Sequence, residues 1–246
     1  MKVDYTEISK TYDRYRSYPK NLIREIIAFG EISEKTKVLD LGCGTGKFSL
    51  QLLELIDADV ICVDLSMPML KRARGKSLQA ICADLGGSKF PFSNYSFDTI
   101  TGVYVLHQIS NLLFLFSECH RVLRNGIVIL LTSSHKQIEC QHPVIKEFFP
   151  GLIELDKKRF PDISTIDHLL SSAGFNDLRY EEVIVEDIPV DQEYLQKVKH
   201  KYISTYHLLP EGEFQRGVER LEAFIKSRSQ PEFREWRGTM VYGKKI

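Results

Sequence analysis

One segment, Val38 to Gly46, constrains the fold of this chain more than any other. It begins with the apolar run Val-Leu-Asp-Leu, typical of a buried strand, and ends with Gly-Cys-Gly-Thr-Gly before an amphipathic stretch. Glycine lacks a Cβ, so it adopts positive φ angles and allows a ligand to approach the backbone closely. A strand that enters a helix through such a turn is typical of nucleotide-binding α/β sheets. The GxGxG spacing differs from the GxGxxG of dinucleotide-binding folds.

Apolar runs and amphipathic stretches alternate after this segment, which indicates βαβ units and a parallel sheet. We therefore predict a doubly wound, Rossmann-like α/β fold with a mostly parallel sheet and helices on both faces. Asn125-Gly126 is predicted to end the last helix of the alternation. The predicted strands are 37–41, 60–64, 79–83, 99–103 and 127–132, the predicted helices start at 48, 68 and 112, and later strands are predicted at 178–185 and 238–243.

The segments outside this alternation are rich in aromatic residues. We predict that the whole chain, 1–246, is one domain whose outlying segments form a helical cap. The cap would lie over the carboxyl ends of the strands, where open α/β sheets bind their ligands. The predicted core comprises about 35–132, 164–185 and 236–245, and the predicted cap comprises 1–34, 133–163 and 187–235.

The charge balance and the apolar runs argue against several classes of partner. Lysine and arginine total 33, as do aspartate and glutamate, so the chain lacks the basic field that binds nucleic acid backbones. The apolar runs are too short to span a bilayer, and residues 1–20 contain no apolar stretch typical of a secretory signal. These features predict a cytoplasmic protein with no membrane span and no nucleic acid partner.

The cysteines and histidines do not follow a metal-binding pattern. The five cysteines are widely spaced, without a CxxC pair, which favours reduced thiols over disulfides or a zinc site. His135, Cys140 and His142 lie close in sequence but lack zinc-ligand spacing. We expect no bound metal.

Asp64 adds to the evidence for a nucleotide-like ligand. It ends the second predicted strand, eighteen residues after Gly46. A carboxylate at this place can accept hydrogen bonds from both hydroxyls of a ribose.

These motifs together resemble those of class I S-adenosylmethionine-dependent methyltransferases, close to the type-11 group that includes ubiquinone and menaquinone biosynthesis enzymes. The core resemblance covers about 36–132, and more loosely 164–185 and 236–245. The segment from Tyr12 to Pro19 resembles the one that precedes the core in trans-aconitate methyltransferase-like enzymes. The resemblance implies S-adenosylmethionine as the cofactor.

The resemblance also assigns residues to the methionine part of the cofactor. The loop formed by Gly42, Cys43 and Gly44 would pass beneath it, and Asp40 would reach its ammonium, often through water. Residues just past the fourth strand would line the methionine and the transferable methyl. They are Gly102, Val103 and Tyr104.

The adenosine part is assigned in the same way. Asp64 would hold the ribose, while Leu65 and Met69 would pack near the adenine. Asp84-Leu85, at the end of the third strand, matches the place of the family's acid, whose carboxylate accepts a hydrogen bond from the adenine amino group.

His107 is the candidate catalytic residue, with Tyr104 as the alternative. A histidine near the methyl can act as a base toward a hydroxyl or acidic carbon, but it can equally be a packing residue that starts a helix. Gln108 stands where many type-11 sequences have a second histidine, which weakens any role for a histidine pair. Asn125 likewise replaces the usual proline of the following turn.

Three roles are open for Arg14, Arg16 and Tyr18. They can close over the cofactor's carboxylate, they can select an anionic substrate, or they can belong to a solvated amphipathic helix without a role in binding.

The sequence therefore predicts an enzyme that transfers a methyl group from S-adenosylmethionine to a small-molecule acceptor. One alternative is an RNA methyltransferase that acts on an exposed tRNA base, which the neutral charge disfavours. Another is a cofactor-binding protein without transfer activity, because its binding residues would look the same.

Overall fold

The computed structural model describes residues 5–16, 18–140 and 147–246. Across these ranges one sheet of seven strands has the order β3-β2-β1-β4-β5-β7-β6. The first five strands in the chain, β1 to β5, all pair in parallel with one another. Strand β7 is antiparallel to both β5 and β6. The strands are β1 Lys37–Leu41, β2 Asp59–Asp64, β3 Gln79–Cys82, β4 Phe97–Val103, β5 Leu123–Thr132, β6 Asn176–Val190 and β7 Glu232–Lys244. The predicted doubly wound α/β fold is confirmed.

Helices cover both faces of the sheet and extend beyond one end of it. None of the helices within the described ranges is long and apolar enough to cross a bilayer. They are α1 Tyr5–Tyr15, α2 Lys20–Phe29, α3 Lys47–Leu53, α4 Met67–Gly75, α5 Leu112–Val122, α6 His135–Cys140, α7 Gly151–Arg159, α8 Ile163–Ser172, α9 Gln192–Lys199 and α10 Glu211–Lys226, with 3₁₀ turns at Leu106–Gln108 and Ser204–Leu208.

Alternate strand residues form two hydrophobic clusters, one on each face of the sheet. Val38 lies in the first cluster and Leu39 in the second, as the strand period of two requires. The side chains Leu22, Ile23 and Ile26 of α2 are buried in the first cluster. Helix α2 therefore packs on the sheet, although its residues were predicted to belong to the cap.

A third hydrophobic cluster, which we call the cap cluster, lies at the carboxyl ends of the parallel strands. Its members come from α1, α7, α9, α10 and the end of β6, and they include Tyr15, Leu152 and Ile188. Strands β6 and β7 continue their mutual pairing well beyond β5, as far as Val190 opposite Glu232. This two-stranded extension carries Trp236 into contact with the cap cluster.

One predicted boundary is wrong. Helix α5 ends at Val122 and β5 begins at Leu123, so Asn125 and Gly126 lie inside the strand rather than at a helix stop. A Cβ on Gly126 would lie 2.1 Å from the carbonyl oxygen of Asp98. The glycine is therefore required for the close approach of β5 to β4.

Candidate active site

Two neighbouring cavities lie beyond the carboxyl ends of β1 and β4, and Tyr12 and Tyr18 line both. The smaller has an empty volume of about 290 Å³ and contains the glycine loop. The larger has about 910 Å³, counting space open to solvent, and extends under the cap. The smaller cavity is lined by Tyr12, Tyr18, Asp40, Gly42, Cys43, Lys47, Phe48 and Val103.

The glycine loop has the conformation that a ligand lying across it requires. Gly42 and Gly44 have φ angles of +63° and +55°, in the left-handed region that residues with a Cβ rarely adopt. A Cβ on Gly42 would lie 2.2 Å from Val105, whereas a Cβ on Gly44 would meet nothing within 4 Å. The backbone N–H of Cys43 donates to Val63 at 3.0 Å, which fixes the loop against β2. The open space above Gly44 fits a ligand in contact with the backbone.

Asp40 lies at the floor of the smaller cavity, only 2% exposed. Its carboxylate accepts hydrogen bonds from the Ser49 hydroxyl and, at 3.2 Å, from the Thr101 hydroxyl. Burial raises the pKa of Asp40 to about 7, more than these two hydrogen bonds lower it. A nearby ammonium would restore the carboxylate, so this residue fits the role predicted for it.

Asp64 ends β2 beside the glycine loop. One carboxylate oxygen accepts from the N–H of Gly44 at 2.8 Å, and the other accepts from the N–H of Ser66 at 2.7 Å. Burial raises the pKa of Asp64, and the backbone donors partly offset this. Each oxygen retains a lone pair, so the side chain can still accept the two hydroxyls of a ribose.

The residues predicted around the adenine differ in exposure. Leu65 is 49% exposed, whereas Met69 and Leu85 are buried. Asp84 is exposed, and its Oδ1 accepts from the N–H of Gly86 at 2.9 Å. Leu65 and Asp84 therefore present free surface to a ligand, while Met69 and Leu85 are packed.

Aromatic side chains form a large part of the lining of the larger cavity. Tyr104, from the end of β4, reaches it with a φ of +53°, a conformation that costs energy in a residue with a side chain. Its ring packs against that of Trp236 with centroids 5.5 Å apart. The lining residues are Tyr5, Ile8, Tyr12, Arg16, Tyr18, Tyr104, His107, Ser133, Asp156, Phe160, Ile188, Tyr202, Ile203, Ser204, Thr205, Glu235 and Trp236.

Several buried polar atoms of this lining have no hydrogen-bond partner within the described ranges. Buried donors and acceptors are nearly always paired in folded proteins, so a group of unpaired ones around one cavity indicates a polar ligand. The atoms are Arg16 Nε, Tyr104 Oη, His107 Nδ1, Ser133 Oγ and Trp236 Nε1.

His107 lies in the 3₁₀ turn after β4 and faces this cavity. Its ring stacks on Phe160, with centroids 4.3 Å apart and an interplanar angle of 15°. Burial holds the pKa of His107 well below its usual value, and the positive charges of Arg159 and Arg16 lower it further. The imidazole is therefore neutral and can hydrogen-bond a ligand.

Gln108 fastens α1 to the wall of the cavity. Its Nε2 donates to the Tyr5 hydroxyl at 2.9 Å. The residue that departs from the family pattern thus contacts the N-terminal helix instead of continuing a histidine pair.

Arg16 and Tyr18, which follow α1, occupy different parts of the site. Tyr18 lines both cavities, and its backbone is held by two hydrogen bonds to the Gln51 side chain at 3.1 and 3.0 Å. Arg16 lines the larger cavity only.

Asp156 was missed by the sequence analysis. It comes from α7, accepts a hydrogen bond from Thr205 at 2.5 Å and lies 3.7 Å from Arg159. Burial raises the pKa of Asp156 to about 6. Trp236, the single tryptophan of the chain, was also missed. Neither belongs to a motif, and the only available signal was the aromatic content of the cap segments.

Of the three residues considered for a metal site, His135 and Cys140 do not line either cavity. The His135 ring lies 2.9 Å from the carbonyl oxygen of Phe160, Cys140 is exposed, and His142 is outside the described residues. Within the described ranges, no three residues among His, Cys, Asp and Glu form a cluster that could hold a metal.

Solved structures share the fold. A crystal structure from Anabaena variabilis, assigned as a methyltransferase of an antibiotic biosynthesis pathway, has a TM-score of 0.75 at 20% identity, over 95% of this chain and 100% of the other. Phosphoethanolamine N-methyltransferase 2 of Haemonchus contortus, solved with S-adenosylhomocysteine, has a TM-score of 0.65 at 17% identity, over 98% of this chain and 58% of the other.

Sequence comparison finds methyltransferases among the proteins similar to this chain. A family model described as the methyltransferase domain matches residues 38–126. The chain is 26% identical to demethylmenaquinone methyltransferase of Staphylococcus epidermidis, over 71% of this chain and 84% of that protein. It is 25% identical to malonyl-[acyl-carrier protein] O-methyltransferase of Geobacter sulfurreducens, over 76% of this chain and 74% of that protein. These matches support the predicted class I S-adenosylmethionine-dependent methyltransferase of the type-11 group.

Proposed function

We propose that this methyltransferase acts on a small molecule bound in the larger, aromatic cavity. The observation that carries the proposal is the junction of the two cavities at Tyr12 and Tyr18. The smaller cavity has the glycine loop and the Asp40 carboxylate, which fit the methionine end of the cofactor, and the larger cavity lies next to it beneath the cap. A pocket of this kind suits a compact, partly apolar acceptor better than a polymer.

The residues of the chain would contribute mainly by positioning. S-adenosylmethionine supplies an activated methyl group: a lone pair of the acceptor forms the new bond as the carbon–sulfur bond breaks, the electron pair stays on sulfur, and an acceptor proton passes to solvent or a base. Asp64 would hold the ribose and Asp40 the ammonium. Placement of the acceptor in line, with water excluded, is then the main task of the cap.

Tyr104 and His107 are proposed to orient the acceptor. Both carry buried polar atoms without a partner on the wall of the larger cavity. Burial raises the pKa of Tyr104 and lowers that of His107, so both side chains stay neutral at neutral pH. Neutral groups of this kind hydrogen-bond a substrate without needing to take its proton.

Demethylmenaquinone, in the name of one relative, supports a small acceptor, whereas the malonyl group in the name of the other is carried on a protein. The formal net charge of zero remains the argument against an RNA acceptor.

A transfer assay with methyl-labelled S-adenosylmethionine tests the proposal. The purified chain is incubated separately with a small-molecule extract, with tRNA and with a protein fraction that includes acyl carrier protein. We expect label in the small-molecule arm. Label confined to tRNA or to protein would overturn the small-molecule proposal. If the chain bound S-adenosylhomocysteine but produced no label in any arm, the result would favour a cofactor-binding protein without transfer activity.

A further inference from the structure

Among the charged side chains that line the larger cavity, Arg16 is the one that forms no ion pair within the described ranges. The charged lining residues are Arg16, Asp156 and Glu235. Asp156 lies 3.7 Å from Arg159, and Glu235 accepts two hydrogen bonds from Arg237 at 3.0 and 2.7 Å. Within the described ranges, the side chain of Arg16 has neither an ion pair nor a hydrogen bond. A partly buried guanidinium without an ion-pair partner is unfavourable, so this arrangement favours the binding of an anion.

Aromatic rings hold the Arg16 guanidinium without satisfying its donors. Its central carbon lies 5.9 Å from the ring centroid of Tyr12, 5.6 Å from that of Tyr202 and 5.5 Å from that of Trp236. Such contacts stabilise the charge through the ring faces, but the N–H donors lie in the plane of the guanidinium and still need acceptors. Nε is buried and unpaired. The rings therefore fix the orientation of Arg16 and leave its donor edge for a ligand.

We propose that Arg16 binds an anionic group, carboxylate or phosphate, on the methyl acceptor. This inference rests on the proposed function, since it concerns the same cavity. Carboxylates and phosphates are the groups that a guanidinium binds through two parallel hydrogen bonds. The indole N–H of Trp236 and the hydroxyl of Tyr104, both unpaired, are further donors beside it.

The placement of Arg16 favours the acceptor over the cofactor as the source of the anion. Arg16 does not line the smaller cavity, which contains the glycine loop and Asp40. Two of its three ring contacts, Tyr202 and Trp236, come from the cap segment and the β7 extension. The nearby carboxylate of Glu186 lies 3.7 Å from Lys197, and no ion pair links it to Arg16. The guanidinium is thus available on the cap side of the site.

The first test uses the wild-type chain and needs no variant. A protein-free extract of the cells that make the protein is separated by ion exchange into anionic, neutral and cationic pools. Each pool is incubated with the chain and methyl-labelled S-adenosylmethionine. We expect about tenfold more label in products from the anionic pool than from either other pool. Label mainly in the neutral or cationic pool overturns the anion assignment alone, whereas no label in any pool overturns the proposed function and the inference with it.

The second test assigns the effect to Arg16. Arg16→Gln removes the charge, and Arg14→Gln is the matched control, because Arg14 is an exposed arginine of the same segment. With the anionic pool, we expect Arg16→Gln to lower the transfer rate about tenfold or more and Arg14→Gln to change it less than about twofold. An equal rate in Arg16→Gln and the wild type would overturn the assignment.

A binding measurement separates the acceptor's anion from the cofactor's carboxylate. The probes are S-adenosylhomocysteine and 5′-methylthioadenosine, which lacks the amino acid part. We expect Arg16→Gln to bind both with affinities within about twofold of the wild type, which also shows that the variant is folded. A loss of about tenfold for S-adenosylhomocysteine alone would place Arg16 on the cofactor carboxylate and overturn the inference.

Discussion

At the scale of single residues, the two carboxylates beside the glycine loop are stabilised in different ways. Asp64 receives two backbone N–H donors and stays at the edge of the loop, whereas Asp40 is sealed beneath it with two hydroxyl donors. Hydroxyl donors compensate the burial of a carboxylate only in part, so the pKa of Asp40 rises to about 7. The free chain therefore carries a buried acid that titrates near neutral pH.

Asp40→Asn should change how stability depends on pH. A raised folded-state pKa gives a contribution to stability that is complete below the unfolded value of about 3.8 and lost as the pH rises through about 7. We expect the free energy of unfolding of the wild type, relative to Asp40→Asn, to fall by about 2–4 kcal/mol between pH 5 and pH 8. Urea denaturation at one-unit intervals measures this, with Asp57→Asn, an exposed carboxylate, as the control. A constant difference across that range would contradict the titration of Asp40.

Asp64→Ala should weaken cofactor binding by about 2–4 kcal/mol, because a partly buried acceptor for two hydroxyls is removed. Asp59→Ala, at the opposite end of the same strand, is the matched control and should leave the affinity unchanged. Calorimetry with S-adenosylhomocysteine gives both values, and circular dichroism checks the fold. Wild-type affinity in Asp64→Ala would mean that the ribose is held elsewhere.

His107→Ala should lower kcat/KM by raising the KM of the acceptor. The shape of the pH–rate profile should be unchanged. The reason is that the neutral, Phe160-stacked imidazole has a pKa well below 6.5 and is a weak base. His107→Phe, which keeps the stacking, should recover most of the stability but not the KM. A loss of about 10²–10⁴ in kcat that shrinks as the pH rises would show instead that His107 is the base.

The residues around the glycine loop could be predicted because their motif is local. Gly42, Gly44 and Asp64 lie within one βαβ unit, where a short pattern fixes both the turn and the next strand end. Asp156 and Trp236 reach the larger cavity from α7 and β7, which are far apart in sequence and carry no pattern of their own. Their contribution depends on tertiary packing, which no single segment encodes.

At the scale of elements, α1 connects the cap to the cofactor site. The carboxylate of Asp13 accepts a hydrogen bond from the Thr45 hydroxyl at 2.5 Å and pairs with Lys76 at 2.7 Å. Lys76 also donates to the Thr45 carbonyl at 2.8 Å. The three side chains join α1 to the glycine loop and to the end of α4, so the order of α1 and that of the loop should be coupled.

Asp13→Asn should loosen both α1 and the loop. Charged hydrogen bonds between partly exposed side chains contribute about 1–2 kcal/mol to the free energy of unfolding. We expect faster amide exchange across 5–15 and an affinity for S-adenosylhomocysteine lowered about three- to tenfold. Glu7→Gln breaks an exposed ion pair with Lys10 in the same helix and serves as the control. Unchanged exchange in Asp13→Asn would show that α1 is held by its apolar contacts alone.

The predicted strands of the core agree closely with the structure, while the last two strands are much longer than predicted. Strand β1 has the predicted bounds because a buried parallel strand is a continuous apolar run. Strand β6 extends from 176 to 190 and β7 from 232 to 244, beyond the predicted 178–185 and 238–243. Their added ends contain many charged residues and alternate in exposure, so only their mutual pairing marks them as strands.

At the scale of the whole molecule, the proposed cofactor and acceptor sites are supported by different hydrophobic clusters. The two clusters on the faces of the sheet support the strand ends that form the cofactor site. The cap cluster supports the far wall of the larger cavity, through residues such as Tyr202 and Ile188. A change inside one cluster should therefore affect mainly the site that the cluster supports.

Two matched cavity-forming substitutions test this division. Phe149 in the cap cluster is 1% exposed, and Phe116 in the cluster beneath α5 is fully buried. Replacement of either phenylalanine by alanine should lower the free energy of unfolding by about 3–5 kcal/mol, because both the transfer free energy and the packing contacts of the ring are lost. We expect Phe149→Ala to increase amide exchange across 147–160 and 192–226 and to abolish methyl transfer, while S-adenosylhomocysteine still binds.

Phe116→Ala should act on the other half of the molecule. Its cavity lies against the sheet, so we expect faster exchange in β4 and β5 and weaker S-adenosylhomocysteine binding at temperatures where the cap segments are still protected. Hydrogen exchange by mass spectrometry and calorimetry on the same samples provide the comparison. If both variants lost cap protection and cofactor binding in parallel, the cap and the sheet would form one cooperative unit, and acceptor binding could not be altered independently of cofactor binding.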